Sequence, residues 1–215
     1  MLMKHLWRKS ATAHSLRARE EADMSITLHD VERLQALYPN HQIELREGNI
    51  VIMSPSDSVS GEVGVQFSTL LNVWVRKHNL GRVFDASTGF RLPNGDLLSP
   101  DVSFVSRERL KQNPRTYLSV VPELIVEIKS SRDRLRTLEE KITLFLSQGV
   151  QVGLLIDPDT QTVSIYRFDR SSTTAESAAF LPQRTTLHNG ETLSIPELFP
   201  SWEIPITSLW PPVYE

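Results

Sequence analysis

The stretch PELIVEIKS, residues 122–130, constrains the fold of this chain more than any other. It is an apolar run of the kind that becomes a buried strand, yet it carries Glu127 and Lys129 two residues apart. Side chains alternate along a strand. Leu124, Val126 and Ile128 therefore share one face, and Ile125, Glu127 and Lys129 share the other. A carboxylate and an ammonium on one face of such a strand admit two readings. One is a solvated face or surface ion pair; the other is a metal-dependent active site.

The flanking segments set the frame for that strand. TLHDVERLQALYP reads as a short helix, with Thr27 as N-cap, Asp30 three residues on, and Pro39 as the stop. QIELREGNIVIMSP reads as a two-stranded hairpin turning through Glu47-Gly48-Asn49. GEVGVQFSTLLNVWVRKHNLG reads as a long helix, with Val63, Phe67, Leu70, Trp74 and His78 on one stripe and Gly81 as its terminator. RVFDASTGFRLP and DLLSPDVSFV are strand candidates joined through Asn94-Gly95, and SRERLKQN predicts a further short helix. After the opening strand, RDRLRTLEEKITLFLSQG predicts a helix with Asp133 as a possible cap, a buried face of Leu135, Leu138, Ile142 and Phe145, and Gly149 at its end. VQVGLLIDPDTQTVSIYRF predicts two strands about an Asp157–Thr160 turn. DRSSTTAESAA reads as a polar loop. The last apolar segment carries Trp202 and Trp210, expected to pack on the domain or on a second copy of the chain. The order predicts an α/β (α+β) domain, a mixed central sheet flanked by helices behind an N-terminal helix–hairpin extension.

Composition narrows the partners. The net charge is −3, so contact with a nucleic acid would need locally concentrated positive charge. There is no cysteine, which rules out disulfides, a thiol nucleophile and cysteine-ligated zinc, and suits the cytoplasm. No apolar run reaches the roughly 18–20 residues of a membrane-spanning helix. Residues 1–24 hold Lys4, Arg8, Lys9, Arg17 and Arg19 without a following apolar stretch, which predicts a basic arm of little order rather than a secretory signal. Met24 opens a more convincing domain start.

Glu-x-Lys spacing is weak on its own, since Glu139 and Lys141 repeat it on a predicted helix, where the two do not share a face. The company of the first pair is what raises it. LSPDVSF places Pro100-Asp101 on the preceding strand, and a helix-bearing strand pair could bring Asp101 beside Glu127. Two carboxylates about 4 Å apart repel by roughly 4 kcal/mol at an effective dielectric of 20. A hard divalent cation reverses that sign. Mg²⁺ or Mn²⁺ would take oxygen from Asp101, Glu127 and the backbone carbonyl of Ile128, leaving Lys129 to orient an attacking water or to stabilise a phosphate in displacement. Arg132, Arg134 and Arg136 could grip phosphates, or be an ordinary solvated helix start. Asp157 and Asp159 fit a turn better than a metal pair.

SPDVSFV, PELIVEIKS, LRTLEEKITLFLSQGV and GLLIDPDTQTVSIYR together resemble the bacterial Uma-two family, restriction-endonuclease-like proteins of the PD-(D/E)XK nuclease superfamily. The resemblance spans about residues 25–200. It implies a nuclease core with Asp101, Glu127 and Lys129 as the metal-and-water site. It also implies a further acid from the N-terminal part, where Glu44 in IELREGNIV matches the family's Glu-Leu-x-x-Gly element and Glu62 competes. Lys141 falls where related nucleases place a supporting basic or amide residue. Many members carry a His before the long helix, where this chain has Ser60. The expected activity is Mg²⁺- or Mn²⁺-dependent hydrolysis of DNA phosphodiesters, within a homodimer. The alternative is the same fold used as a binding or assembly module.

Overall fold

The computed structural model describes residues 26–168 and 182–214. The expected basic arm and the DRSSTTAESAA segment lie outside the described residues. The chain divides into two compact units, Met1–Met53 and Ser54–Glu215.

In the N-terminal unit, α1 spans Leu28–Leu37 and buries Val31. Asp30 Oδ2 accepts from the Thr27 N–H at 2.9 Å, so the predicted cap is in place at a helix start that would otherwise leave that donor unpaired. Strands β1 (Gln42–Arg46) and β2 (Asn49–Met53) pair antiparallel in the expected hairpin. Glu47 and Gly48 both take positive φ, 49° and 76°, the left-handed pair whose twist matches that of the flanking strands.

The C-terminal unit begins with α2, Ser58–Lys77. Its buried line is Val63, Phe67, Leu71 and Val75, so Leu70 and Trp74 of the expected stripe lie only part-buried beside it. Burying these four side chains is worth about 1.5–3 kcal/mol each as an upper figure. His78 is exposed and stacks on the Trp74 ring at a centroid distance of 3.9 Å. The helix ends through Asn79, whose φ is 53°, and not at Gly81. Gly81 opens β3 (Gly81–Asp85) instead, where a Cβ would stand 2.2 Å from the Val105 carbonyl oxygen. Its value is close approach, not helix termination.

Strands β4 (Phe90–Arg91) and β5 (Leu97–Leu98) pair antiparallel across the predicted turn, with Gly95 at φ 93°. Strand β6 is Val102–Ser106. The helix expected over SRERLKQN is absent; Arg109 and Leu110 N–H groups both return to Ser106 O, closing one turn only. With Leu110 its sole apolar side chain, the segment has no stripe to bury.

Strand β7 (Leu124–Ile128) leads to α3 (Leu135–Ser147) and β8 (Val152–Asp157), followed by β9 (Thr162–Arg167) and β10 (Gln183–Leu187). The tail adds β11 (Thr192–Ser194), β12 (Glu203–Pro205) and a 3₁₀ turn over Ile206–Leu209. Six strands form a mixed sheet in the order β10-β9-β8-β7-β6-β3. Strands β7 and β8 run parallel and the other neighbours antiparallel. The helical crossover therefore joins β7 to β8, as a parallel pair requires, and not the strand of Asp101 to that of Glu127.

The period-two reading of β7 is met. Leu124, Val126 and Ile128 enter the core under α2, together with Phe199 and Trp202 from the tail. Ile125 faces the core under α3, with Ile142, Phe145 and Leu146. Trp202 is thus interior to this unit, edge-on to Phe199 and Phe67. Trp210 is half-buried and donates its indole N–H to Asn189 Oδ1 at 3.0 Å.

Candidate active site

Strands β6 and β7 are paired only as far as Val102↔Val126. Beyond that point a side chain replaces the ladder. Asp101 Oδ2 accepts the backbone N–H of Ile128 at 2.7 Å, while the N–H of Lys129 continues onto β8 at Ile156 O, 2.9 Å. Hydrogen bonds from the Ile128 and Lys129 N–H groups, one to a side chain and one to the backbone, therefore hold the end of this strand on both sides. A charge-assisted bond of the Asp101 kind is about twice as strong as a neutral one.

The three side chains lead in different directions. Asp101 and Ile128 line a cavity of about 200 Å³ beside α2, together with Ser60, Gly61, Gly64 and Asp85. Glu127 turns toward α3, where it is 2% exposed and Lys141 Nζ lies 3.0 Å from its Oε1. Lys141 is equally buried and also donates to Ser99 O at 2.9 Å. Lys129 reaches the β8–β9 turn, hydrogen-bonding Asp159 and standing 4.0 Å from Asp157. The Asp159 hydrogen bond, with Asp157 and Asp133 nearby, raises its pKa above the usual 10.5, so it is an ammonium throughout the neutral range. The Asp157–Thr160 segment is the predicted turn, and its carboxylates serve Lys129.

The other candidates differ in their local surroundings. Glu44 is buried on β1 of the N-terminal unit, paired with Arg46 at 3.1 Å. Glu62 is exposed on α2. Arg132, Arg134 and Arg136 are exposed, and Arg136 is paired with Glu140 one helical turn on. Arg134, not Asp133, is the N-cap residue of α3. Asp133 closes its own turn instead, accepting from the Ser130 N–H and Oγ.

Among the described residues, no group of three or more His, Cys, Asp or Glu side chains is placed to hold a metal ion. Asp101, just before β6, and Glu127, on β7, are carboxylate oxygen donors whose side chains lie in different surroundings. That donor set fits Mg²⁺ or Mn²⁺, which need only one or two protein carboxylates beside water and phosphate. It does not resemble the closed nitrogen–sulfur shell of a structural zinc.

The sequence model of the Uma2 family, described as "Putative restriction endonuclease", matches residues 28–207. The chain belongs to the Uma2 family. The Uma2 match takes in both units and each strand of the six-stranded sheet. Among solved structures, a crystal structure titled as a putative nuclease of DUF820 from Anabaena variabilis is 21% identical, with a TM-score of 0.69, covering 86% of this chain and 97% of that one. This likeness shows that the two share a fold. No curated protein matches the chain.

Two residues beside this candidate site carry no signal in the sequence. Asp85, at the end of β3 opposite Val102 in register, lines the Asp101 cavity and is held by Ser87. Asp57 caps α2 at the Ser60 N–H, 2.9 Å, and also accepts the Ser131 N–H at 2.7 Å. It thereby fastens the chain just after Lys129 to the helix that walls the cavity. These N–H groups, Ser60 first, hold its carboxyl well below the usual 3.8. A depressed pKa contributes stability above the unfolded value that disappears as pH falls through the folded one. Asp57→Asn is therefore expected to be less stable than wild type at about pH 6, with the gap narrowing below about pH 4. Urea midpoints across that range measure it, and a gap independent of pH would remove the carboxylate from the account.

Proposed function

We propose that the chain is a metal-dependent endonuclease acting on DNA phosphodiesters at Asp101, Glu127 and Lys129. The observation that carries this reading is the Asp101–Ile128 hydrogen bond, which fastens the Pro-Asp segment to the Glu-x-Lys strand. Asp101, Glu127 and the Ile128 carbonyl would hold the cation. When bound, a divalent cation lowers the pKa of a water and neutralises charge on the phosphate. Lys141 Nζ, 3.0 Å from the buried Glu127 carboxylate, would fix that carboxylate's orientation. Lys129, as an ammonium on a bonded strand end, supplies positive charge for a water or a phosphate oxygen. Gly61 and Gly64 leave the α2 wall of the cavity without bulk.

A second reading rests on a specific observation. Glu127 is ion-paired with Lys141 and Lys129 with Asp159, as in a core whose charges serve structure. On that reading the fold binds DNA without cutting it, and binding is steep in salt but indifferent to metal.

Calorimetric titration of Mg²⁺ and Mn²⁺ into wild type and Asp101→Ala distinguishes the two. The nuclease reading expects binding to the wild type that the variant loses, alongside metal-dependent nicking of plasmid DNA. Metal-independent DNA binding, with no nicking under any metal, favours the second reading.

A further inference from the structure

Apart from the cavity that Asp101 lines, three segments enclose another of about 760 Å³. The end of α2 contributes Arg76, the start of β3 Arg82, and the turn after β6 Arg107 and Lys111, against one carboxylate, Glu108. Four cations thus converge in a chain whose net charge is −3. The backbone beneath them is fixed. Arg107 N–H donates to Leu80 O at 3.0 Å, and Arg82 reaches Lys111 O at 3.5 Å. Arg107 pairs with Glu108, but both are largely exposed, and such pairs contribute little and exchange readily. Arg76 stands in the last turn of α2, where the helix dipole favours a cation.

This cavity is not isolated from the site. A second one, about 370 Å³, lies between α2 and β3 and is lined by Ser68, Thr69, Asn72 and Thr88 with Asp85. It shares Ser68 and Asp85 with the cavity of Asp101. At its other end, Val83 adjoins Arg82, and Asn72 lies one helical turn before Arg76. Because β3 is the terminal strand of the sheet, this path follows an edge. Along β3, from Asp85 back to Arg82, it extends roughly 10 Å. That is about three nucleotides at 3.4 Å each. Hydroxyl and amide groups along the way, with cations at the end, are the usual contacts to a phosphate backbone.

We propose that the Arg76–Arg82–Arg107–Lys111 cavity anchors the phosphate backbone of the nucleic acid, a few nucleotides from the bond presented at Asp101. The proposal deepens the nuclease reading and rests on it for the role of Asp101, though the anchor itself is read by binding alone. It answers the requirement for local positive charge that the net charge imposes.

The test is anisotropy of a fluorescein-labelled 20-base-pair DNA duplex in EDTA, titrated across a salt series. Wild type is compared with Arg107→Gln/Lys111→Gln on the exposed turn and, separately, Arg76→Gln on the helix. Melting curves accompany each variant, so that a fold defect in one leaves the other to decide. Each lost phosphate contact should flatten the slope of log K against log salt by about 0.9. The double variant should therefore lose about 1.8 and the single variant about 0.9. Unchanged slopes in well-folded variants overturn the proposal, as does a wild type that does not bind the duplex. So does displacement of the duplex by low-millimolar inorganic phosphate at matched ionic strength, since that describes a site for a small anion. Nicking of plasmid by wild type with Mg²⁺ is scored separately. Flattened slopes without any nicking uphold the anchor and defeat only the nuclease reading.

Discussion

Lys129→Ala is expected to lower the rate of metal-dependent DNA cleavage by about 10²–10³-fold, the usual cost of removing one pre-placed electrostatic group. Metal affinity should stay close to that of wild type, because the side chain is a cation and its carboxylate partners, Asp157 and Asp159, belong to a turn rather than to the Asp101 cavity. The backbone is held at Ile128 N–H and Lys129 N–H whatever side chain follows, so the strand end keeps its place. Plasmid nicking and calorimetry on the same preparations separate the two quantities. Asp101→Ala should behave oppositely, losing metal together with cleavage. Equal cleavage by wild type and both variants would remove Asp101 and Lys129 from the chemistry.

Lys141→Ala should destabilise the fold by about 3–5 kcal/mol, because it withdraws the ammonium from a carboxylate buried in the core under α3. The cost comes mainly from the charge left behind. Glu127→Gln/Lys141→Met, which removes both charges at similar volume, should recover most of that loss. Urea unfolding of the two variants beside wild type gives the comparison. A loss under about 1 kcal/mol for Lys141→Ala would mean that the ammonium is not the counter-ion on which the buried Glu127 depends.

Local periodicity made much of this readable beforehand. Alternation along β7 placed Ile125 and Ile128 on opposite faces, and the turn at Glu47-Gly48 followed from residues that tolerate positive φ. Lys141 was less legible. It lies beside Ile142 on the buried side of α3, and an apolar stripe does not say that a carboxylate waits beneath one of its neighbours. Glu139, two residues earlier, turns elsewhere, accepting from Tyr166 and Arg184. The repeated Glu-x-Lys spacing on the helix thus splits between two environments.

Basic residues differ in legibility in a similar way. Arg132, Arg134 and Arg136 cluster in sequence but stand exposed, whereas Arg76, Arg82, Arg107 and Lys111 meet only because α2, β3 and the turn after β6 end together. Charge that converges through topology leaves no run to notice. The short helix expected after β6 failed because charged, helix-favouring residues without a buried stripe do not make a helix on propensity alone.

The tail has a consequence for how the molecule is completed. Phe199, Trp202, Ile204, Ile206 and Leu209 fill the core beneath α2, and Gln66 on that helix donates to the Ser208 carbonyl at 3.0 Å. The opposite core, beneath α3, is furnished by residues no later than Phe168 among those described. In synthesis, which delivers the chain from its N-terminus, the two sides of the sheet therefore cannot be sealed together. The described side chains of the core beneath α3 have all been added by Phe168. The side bearing α2, which also walls the cavity of Asp101, waits until Leu209 has been added.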